Sequence, residues 1–389
     1  MAEPYLLYAT ACSLFSGKAR AYLRFKGVPF EERLTTMKAY KDVIRPRTGK
    51  AMIPVMFSPE DVAVQDTTDI IDFIEQRQPH ASVYPTTPLQ RLVALLVEVY
   101  ADEWLVMPAM HYRWHFKRQN LRFILREFGS TGFPRLPGPI QTLAGIPPAL
   151  MFGGGYKKVF GITKHNEPVI ERFTEAVLRE LNEHFAEHPF LLGSRPSVGD
   201  YGLMGPLYAH LYRDPYSGEL MQRIAPEVAR WVERMNDPEP CSGEFLPDDR
   251  VPASLNPVLR RMFVHQWPVL QDTIDRVDRW VKDNPGRRVS RFIGKHRYRI
   301  DGVEEERLVM PYAQWMWQRP AFHFQALDGA ERERVAERMA AVGGLEALER
   351  EIPTVLKRVD NRLWVAESLT DGRTGHPDGA ATQPHAVAR

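Results

Sequence analysis

Short apolar segments and amphipathic segments alternate through residues 5–77, and this order restricts the fold more than any other feature of the chain. An apolar run bounded by turn-forming residues is typical of a strand, whereas an apolar period of 3.6 residues is typical of a helix. The sequence therefore predicts an N-terminal α/β domain. Its strands are predicted at Tyr5–Thr10, Val28–Leu34, Ile53–Phe57 and Val62–Gln65, and its helices at Ser13–Lys26, Met37–Ile44 and Asp66–Gln76.

The pattern beyond residue 77 is mainly helical. Pro79, Pro85 and Pro88 mark residues 78–90 as a linker. We predict an all-helical domain at 91–237 with a Pro/Gly-rich insertion at 129–155, then a partly helical extension at 238–369 with a possible hairpin near 295–310. The clearest predicted helices are Arg91–Met107, Glu167–Glu187, Val198–Tyr212 and Ala225–Met235. Residues 370–389 are rich in Gly, Pro, Thr and Ala, which predicts disorder.

Composition and charge exclude several functional classes. The 389 residues carry a formal net charge of +2, which argues against nucleic acid or an acidic membrane as the main partner. The two cysteines, Cys12 and Cys241, allow no disulfide framework and no cysteine-based zinc cluster, and suit a reducing compartment. The N-terminal residues have no signal-peptide pattern, and no stretch reads as a spanning helix. We therefore expect a cytoplasmic protein.

Cys12 and Ser13 lie where the first strand turns into the first helix. The free N–H groups and the dipole at a helix N-terminus favour an anion, so a thiol at this point is expected to have a lowered pKa. The Ser13 hydroxyl can cap the helix or donate to a bound thiolate. A buried, inert cysteine after a strand is the alternative.

Two further points of the domain suit a peptide-like ligand. A cis bond at Ile53-Pro54 would leave the backbone of Ile53 open to such a ligand, although the sequence does not fix the isomer. Asp66 and Thr67 open the third helix, where the carboxylate could take an ammonium group and the hydroxyl and free amides a carboxylate. Ordinary helix capping is the alternative at Asp66.

These features together resemble the glutathione transferase superfamily. "TACSLFSGKAR" is similar to the bacterial beta-class segment with the motif A-C-S-L, and Asp66-Thr67 stands where the family has an acid followed by a serine. The distant segment "FLLGSRPSVGD" is similar to a motif of the helical domain, in which Ser197 and Asp200 would form a capping box.

The resemblance implies a thioredoxin-like N-terminal domain, an all-α domain and an added, mainly helical C-terminal region. It implies glutathione as cosubstrate and no metal. Ile53 and Pro54 would contact the cysteinyl part of glutathione. Asp66 and Thr67 would bind its γ-glutamyl end, and Lys50 would bind its glycyl carboxylate.

The resemblance also implies residues near the reacting groups. Cys12 or Ser13 would face the sulfur, with Tyr8 a third candidate. Trp104, Met107 and His111 are candidates for the wall of the electrophile site, although core packing is the commoner reading of Trp104 and Met107.

Several functional alternatives stay open. Cys12 at the sulfur would favour thiol exchange, whereas Ser13 would favour conjugation to a small apolar electrophile, as in detoxification. A glutathione-dependent lyase or isomerase and a non-catalytic ligand-binding or assembly module are the alternatives. The insertion could be a lid, a packed loop or a partner surface. The family usually dimerises, so a homodimer is expected.

The histidine motifs give weak metal signals. His184 and His188 fit an inverted zinc-protease pattern, but no third ligand is in view. His111 and His115 share one helical face in "HYRWH", yet no carboxylate lies at helical spacing within that stretch. A solvated or buried histidine pair is the favoured interpretation of the second motif.

Overall fold

A computed structural model describes residues 3–366 of the chain. The predicted disordered tail, 370–389, lies outside the described residues. The N-terminal domain has a four-stranded sheet in which Tyr5–Ala9 is parallel to Phe30–Leu34 on one side and antiparallel to Val55–Phe57 on the other, and Ala63–Gln65 pairs with Val55–Phe57 at the edge. Its elements are β1 (Tyr5–Ala9), α1 (Leu14–Phe25), β2 (Phe30–Leu34), α2 (Met37–Ala39), α3 (Arg45–Thr48), β3 (Val55–Phe57), β4 (Ala63–Gln65) and α4 (Thr67–Arg77). The predicted thioredoxin-like order of strands and helices in this domain is confirmed.

The second part of the chain is all helical. Its helices are α5 (Pro88–Glu103), α6 (Val106–His115), α7 (Lys117–Gly132), α8 (Gly138–Ala144), α9 (Ile146–Phe160), α10 (Glu167–Glu187), α11 (Val198–Pro206), α12 (Pro215–Ile224) and α13 (Pro226–Asn236). The predicted helix Arg91–Met107 is interrupted after Glu103, and the predicted helix Val198–Tyr212 ends as a π-helical turn at Leu207–Tyr212.

The predicted insertion is more regular than its composition suggested. Helices α8 and α9 occupy most of it. Pro147 and Pro148 lie in the first turn of α9, where the backbone N–H groups have no partner within the helix, so proline does not disrupt it. Gly161 ends α9 with a φ of 66°, which glycine adopts at little cost.

The C-terminal region contains helices and two hairpins. Its elements are α14 (Asn256–Arg261), α15 (Trp267–Asp283), β5 (Lys295–Ile300), β6 (Val303–Leu308), α16 (Pro311–Gln325), α17 (Gly329–Ala340), α18 (Leu345–Glu349), β7 (Leu356–Val359) and β8 (Arg362–Val365). Short 3₁₀ and π turns occur at Ala253–Leu255, Tyr40–Ile44 and Met262–Gln266. The predicted hairpin near 295–310 is confirmed as β5 and β6.

Helix α5 lies at the centre of the molecule, with 13 of its 16 residues buried. One side packs against α11, where a Cβ on Gly202 would lie 2.8 Å from the Cα of Glu98. The other side packs against α16 of the C-terminal region. Because α5 is covered from both sides, the C-terminal region is part of the main hydrophobic core and does not form a separate tail.

The helical domain also contains the predicted capping box. Asp200 accepts hydrogen bonds from the backbone N–H groups of Ser197 and Leu191 at 2.8 and 3.0 Å, and from the indole of Trp231 at 3.2 Å. Ser197 also donates its hydroxyl to the same carboxylate at 2.8 Å. None of the helices in the described part of the chain is long and apolar enough to cross a bilayer.

We predict that Asp200→Ala lowers the free energy of unfolding by about 3 kcal/mol, because four donors in the core lose their acceptor. Urea denaturation followed by circular dichroism measures the change. Asp237→Ala is the matched control, since Asp237 is exposed. Equal midpoints for the two variants would contradict the role given to Asp200.

Candidate active site

The start of strand β3 has a backbone segment without hydrogen-bond partners in the described part of the chain. The Ile53-Pro54 peptide bond is cis. Pairing of β3 with β1 and β4 begins only at Val55, and no group in the described part of the chain bonds to the main chain of Ile53. The N–H and C=O groups of Ile53 are therefore available to an extended ligand.

Asp66 adopts an uncommon backbone conformation at the start of α4. Its φ is 98°, a region that non-glycine residues rarely occupy outside functional sites. Its Oδ1 accepts the backbone N–H of Thr68 at 3.1 Å, so Asp66 caps the helix as predicted. Thr67, the first residue of α4, is buried.

Ser13 and Cys12 have different environments at the start of α1. Ser13 is the N-cap residue and accepts the Ser16 N–H at 3.4 Å, and its side chain is partly exposed. Cys12 is only 5% exposed, with its Sγ 3.6 Å from the hydroxyl of Thr10. Burial raises the pKa of the Cys12 thiol, although the Arg113 guanidinium opposes the change. The expectation of a lowered pKa was wrong, because loss of solvation outweighs the favourable charge.

Arg113 connects this turn to the helical domain. Its guanidinium donates to the Cys12 carbonyl at 2.7 Å and makes two hydrogen bonds to the Asp214 carboxylate, at 2.7 and 2.6 Å. Both Arg113 and Asp214 are buried. A planar guanidinium that binds a carboxylate with two bonds has little freedom, so Arg113 fixes the position of the Cys12-Ser13 turn.

The predicted electrophile-wall residues do not line an open cleft. Trp104, Met107 and His111 are fully buried in the helical domain. Trp104 meets Tyr298 edge to face at 6.1 Å between ring centroids, so the core interpretation of this residue fits its position. Tyr8 is partly buried and packs edge-on against Phe57 at 5.6 Å.

Three residues of the C-terminal region contact the predicted ligand-binding residues. Tyr312 donates its hydroxyl to Asp66 Oδ2 at 2.7 Å. Arg358 donates to the Gln65 carbonyl at 2.9 Å. Asn361 donates to the Thr48 carbonyl at 3.1 Å and accepts a hydrogen bond from the Lys50 ammonium through its own carbonyl. The site is thus built from both ends of the chain.

Lys50 lies in a positively charged region. Burial lowers its pKa, and the guanidinium groups of Arg358 and Arg362 lower it further. Arg288 and Arg291 act in the same direction. Several cations held together in this way favour the binding of an anion, since a carboxylate relieves their mutual repulsion.

Two parts of the chain match known family models. Residues 7–82 match the N-terminal domain of glutathione S-transferase, and residues 174–234 match its C-terminal domain. The chain belongs to the glutathione transferase superfamily. Proteins of this superfamily bind glutathione, which supports glutathione-dependent, transferase-type chemistry for this member.

Several solved structures align with about three fifths of this chain. The β-etherase LigF of Sphingobium sp. strain SYK-6 is 17% identical, with a TM-score of 0.44 over 61% of this chain and 97% of that one. A glutathione S-transferase from Rhodospirillum rubrum F11 is 14% identical, with a TM-score of 0.40 over 64% and 96%. Rice GST1, solved in complex with glutathione, is 18% identical, with a TM-score of 0.37 over 64% and 94%. No curated protein sequence matched.

Sequence reasoning missed the residues of the candidate site that come from distant parts of the chain. Arg113, Tyr312, Arg358 and Asn361 all contact the site, yet no motif in the sequence assigned them to it. The one sequence signal for the cationic part of the site was the basic character of residues 287–299, which include Arg288 and Arg291. That signal did not indicate which surface residues 287–299 would cover.

We predict that Cys12 reacts slowly with thiol reagents in the native protein, because its raised pKa keeps the thiol protonated at neutral pH and burial restricts access. A colorimetric disulfide reagent should modify Cys241 before Cys12, and both cysteines after denaturation. The Cys12→Ala variant should keep the fast phase. If that variant loses the fast phase, Cys12 is the exposed and reactive thiol.

Proposed function

We propose that this protein is a glutathione-dependent transferase that binds the reduced tripeptide along the start of β3 and directs its sulfur to the N-terminus of α1. The observation that carries the proposal is the main chain of Ile53, which has no hydrogen-bond partner in the described part of the chain. The cysteinyl part of glutathione would pair with the N–H and C=O groups of Ile53, and Pro54 would hold that backbone in place.

The two ends of glutathione would meet groups of opposite character. At the γ-glutamyl end, Asp66 would accept the ammonium group, while Thr67 and the free amides of α4 would bind the carboxylate. At the other end, Lys50 and its guanidinium neighbours would bind the glycyl carboxylate. The ammonium group is present only at the γ-glutamyl end, so a carboxylate at one end of the site and cations at the other favour one direction of the tripeptide.

Ser13 is our preferred partner of the glutathione sulfur, and Cys12 is the alternative. The Ser13 hydroxyl is accessible at the helix N-terminus, whereas the Cys12 thiol is buried and its pKa is raised. A hydroxyl donor and the helix dipole stabilise a thiolate, and each unit by which they lower the thiol pKa corresponds to about 1.4 kcal/mol. Ser13 at the sulfur favours conjugation to a small apolar electrophile over thiol exchange.

The contacts of the C-terminal region favour a second candidate function. Asp66 and Lys50 already have protein partners in Tyr312 and Asn361. If these contacts exclude glutathione from Asp66 and Lys50, the protein is a non-catalytic ligand-binding or assembly module. A glutathione-dependent lyase or isomerase would use the same site and differ only in the second substrate.

The cytoplasmic location and the homodimer stay predictions. The C-terminal region covers one side of α5 and also contacts α4 through Arg319, which donates to Asp72 at 3.1 Å. A dimer of this chain would therefore use surfaces that the C-terminal region leaves uncovered. A role in detoxification fits a small apolar electrophile and is part of the same proposal.

We predict that Ser13→Ala lowers turnover of chlorodinitrobenzene with glutathione by about 10- to 100-fold, because the thiolate loses a donor worth roughly 1.5 to 3 kcal/mol. Glutathione affinity, measured by calorimetry, should change little, since the backbone and the two charged ends are intact. Cys12→Ala should retain most of the turnover. The ultraviolet absorbance of the bound thiolate should fall in Ser13→Ala only.

The opposite result would reassign the sulfur contact. Loss of turnover in Cys12→Ala, with Ser13→Ala active, would favour thiol exchange at Cys12. If the folded wild-type protein binds no glutathione at millimolar concentration and turns over no electrophile, the transferase proposal is wrong and the non-catalytic module is favoured.

A further inference from the structure

The structure brings together a His/Glu cluster that lies outside the proposed transferase site. His111 and His115 are one turn apart on α6, and Glu167 begins α10, which packs against α6. One ring nitrogen of each histidine and one carboxylate oxygen of Glu167 all lie within 4.8 Å of one another. We propose that these three side chains form a binding site for a divalent transition-metal ion of the zinc type.

The observed distances are close to those that a bound ion requires. A tetrahedral zinc ion has bonds of about 2.0–2.1 Å to imidazole nitrogen, which places its ligand atoms roughly 3.3 Å apart. His115 Nδ1 lies 3.3 Å from Glu167 Oε1. The rings of His111 and His115 are stacked with their centroids 4.7 Å apart, so small side-chain rotations would direct both rings at one ion.

The hydrogen-bond pattern of His111 is typical of a histidine that ligates a metal ion. Its Nε2 lies 2.9 Å from Glu171 Oε1, and its Nδ1 is buried with no hydrogen-bond partner in the described part of the chain. A ligating histidine usually interacts with a carboxylate through its other ring nitrogen, which fixes the tautomer and the ring orientation. A buried, unpartnered nitrogen also costs free energy that a metal bond would recover.

Lys157 competes with the metal in this arrangement. Its ammonium group, on α9, makes an ion pair with Glu167 Oε1. The side chain is partly exposed and can move into solvent, and the exposed His115 gives an ion a route to the cluster. Removal of the Lys157 charge should therefore strengthen metal binding at the cluster. If the cluster is only an ion-pair network, the same change would remove one of its ion pairs and create no metal affinity.

The test is zinc titration of chelator-treated protein against a chromophoric indicator. We predict one site per chain, at least 10-fold weaker in His115→Ala and in Glu167→Gln, and tighter in Lys157→Met. His80→Ala is the control, since His80 is exposed and far from the cluster in sequence. Cobalt in place of zinc should give the intense visible absorbance of a tetrahedral site, and circular dichroism confirms that each variant is folded.

Two results would overturn the metal site. The first is the absence of a high-affinity site in both the wild-type protein and Lys157→Met. The second is zinc binding that His115→Ala and Glu167→Gln leave unchanged, which would place the ion elsewhere. Neither result depends on transferase activity, so failure here and failure of the proposed transferase function are distinguishable.

A separate part of the surface, on α7, α8 and α9, is strongly apolar. Of the 15 large hydrophobic side chains that are exposed in the described residues, nine lie between residues 121 and 152. They are Leu121, Phe133, Leu136, Ile140, Leu143, Ile146, Leu150, Met151 and Phe152. Patches of this kind on a folded protein mark an interaction site.

The same segment is strongly basic. Residues 117–164 contain eight Lys or Arg and one acidic residue, Glu127, in a chain whose formal net charge is only +2. Glu127 is itself paired with Arg213 at 2.7 Å. Seven of the eight cations make no ion pair in the described part of the chain. They are Lys117, Arg118, Arg122, Arg126, Arg135, Lys158 and Lys164.

We propose that this face docks onto an anionic lipid surface. Exposed apolar side chains can enter the boundary between headgroups and acyl chains, while unpaired cations bind the anionic headgroups. A symmetric contact between two copies of the chain is disfavoured, because it would bring two segments of excess positive charge together. The expectation that membranes are not a partner rested on the net charge of the whole chain, whereas this proposal rests on the charge of one segment.

Co-sedimentation with vesicles tests the lipid surface. The protein should bind phosphatidylcholine vesicles that contain about 30% phosphatidylglycerol, bind pure phosphatidylcholine weakly, and lose affinity in about 0.5 M NaCl. The double variant Leu150→Ser, Met151→Ser should bind at least 5-fold less. Val264→Ser is the control, since Val264 is 64% exposed on another part of the surface.

Two outcomes would contradict lipid docking. Equal binding of the wild type and the double variant would show that the apolar face is not involved. If neither binds vesicles and the double variant instead converts a larger species to a monomer in gel filtration, the face is an interface between copies of the chain.

Discussion

A buried lysine holds the elements of the site in their relative positions. Lys18, on α1, is fully buried and forms ion pairs with Glu98 at 2.8 Å and Asp102 at 2.6 Å, both on α5. Thr68 of α4 donates to the same Glu98 at 3.1 Å. Burial opposes the charge on Lys18, but the two carboxylates outweigh it and raise its pKa. Because loss of one partner would leave a buried charge unpaired, the network keeps both helix N-termini of the site in place.

The C-terminal region builds on this arrangement. It covers α5 with α16, reaches the Asp66 carboxylate with Tyr312, and brings the β7–β8 hairpin over Lys50 through Asn361. The two family models match residues 7–82 and 174–234, so this region is additional to the matched domains. The same contacts therefore give the site its positive cluster and remove part of the surface that a partner subunit could use.

Local patterns made the fold and part of the site predictable. The strand–helix order, the N-cap at Asp66 and the capping box at Ser197 each depend on residues that are close in sequence. The rest depends on packing between distant segments. The pairing of Glu167 with His115 joins two helices, the contact of Asn361 with Lys50 spans most of the chain, and the bond from Arg113 to the Cys12 carbonyl joins two domains. No local pattern contains that information.

The Asp66 carboxylate bears on the choice between an enzyme and a non-catalytic module. Oδ1 accepts one hydrogen bond from Thr68 and Oδ2 accepts one from Tyr312, while the nearest Arg358 nitrogen lies 3.9 Å from Oδ2. A carboxylate has about four lone-pair sites, so two remain for an incoming ammonium group. Tyr312 can thus orient Asp66 without using up its capacity. The C-terminal region is therefore compatible with a functional glutathione site, and the strained backbone of Asp66, which ordinary capping does not require, is more consistent with ligand binding than with a vestigial fold.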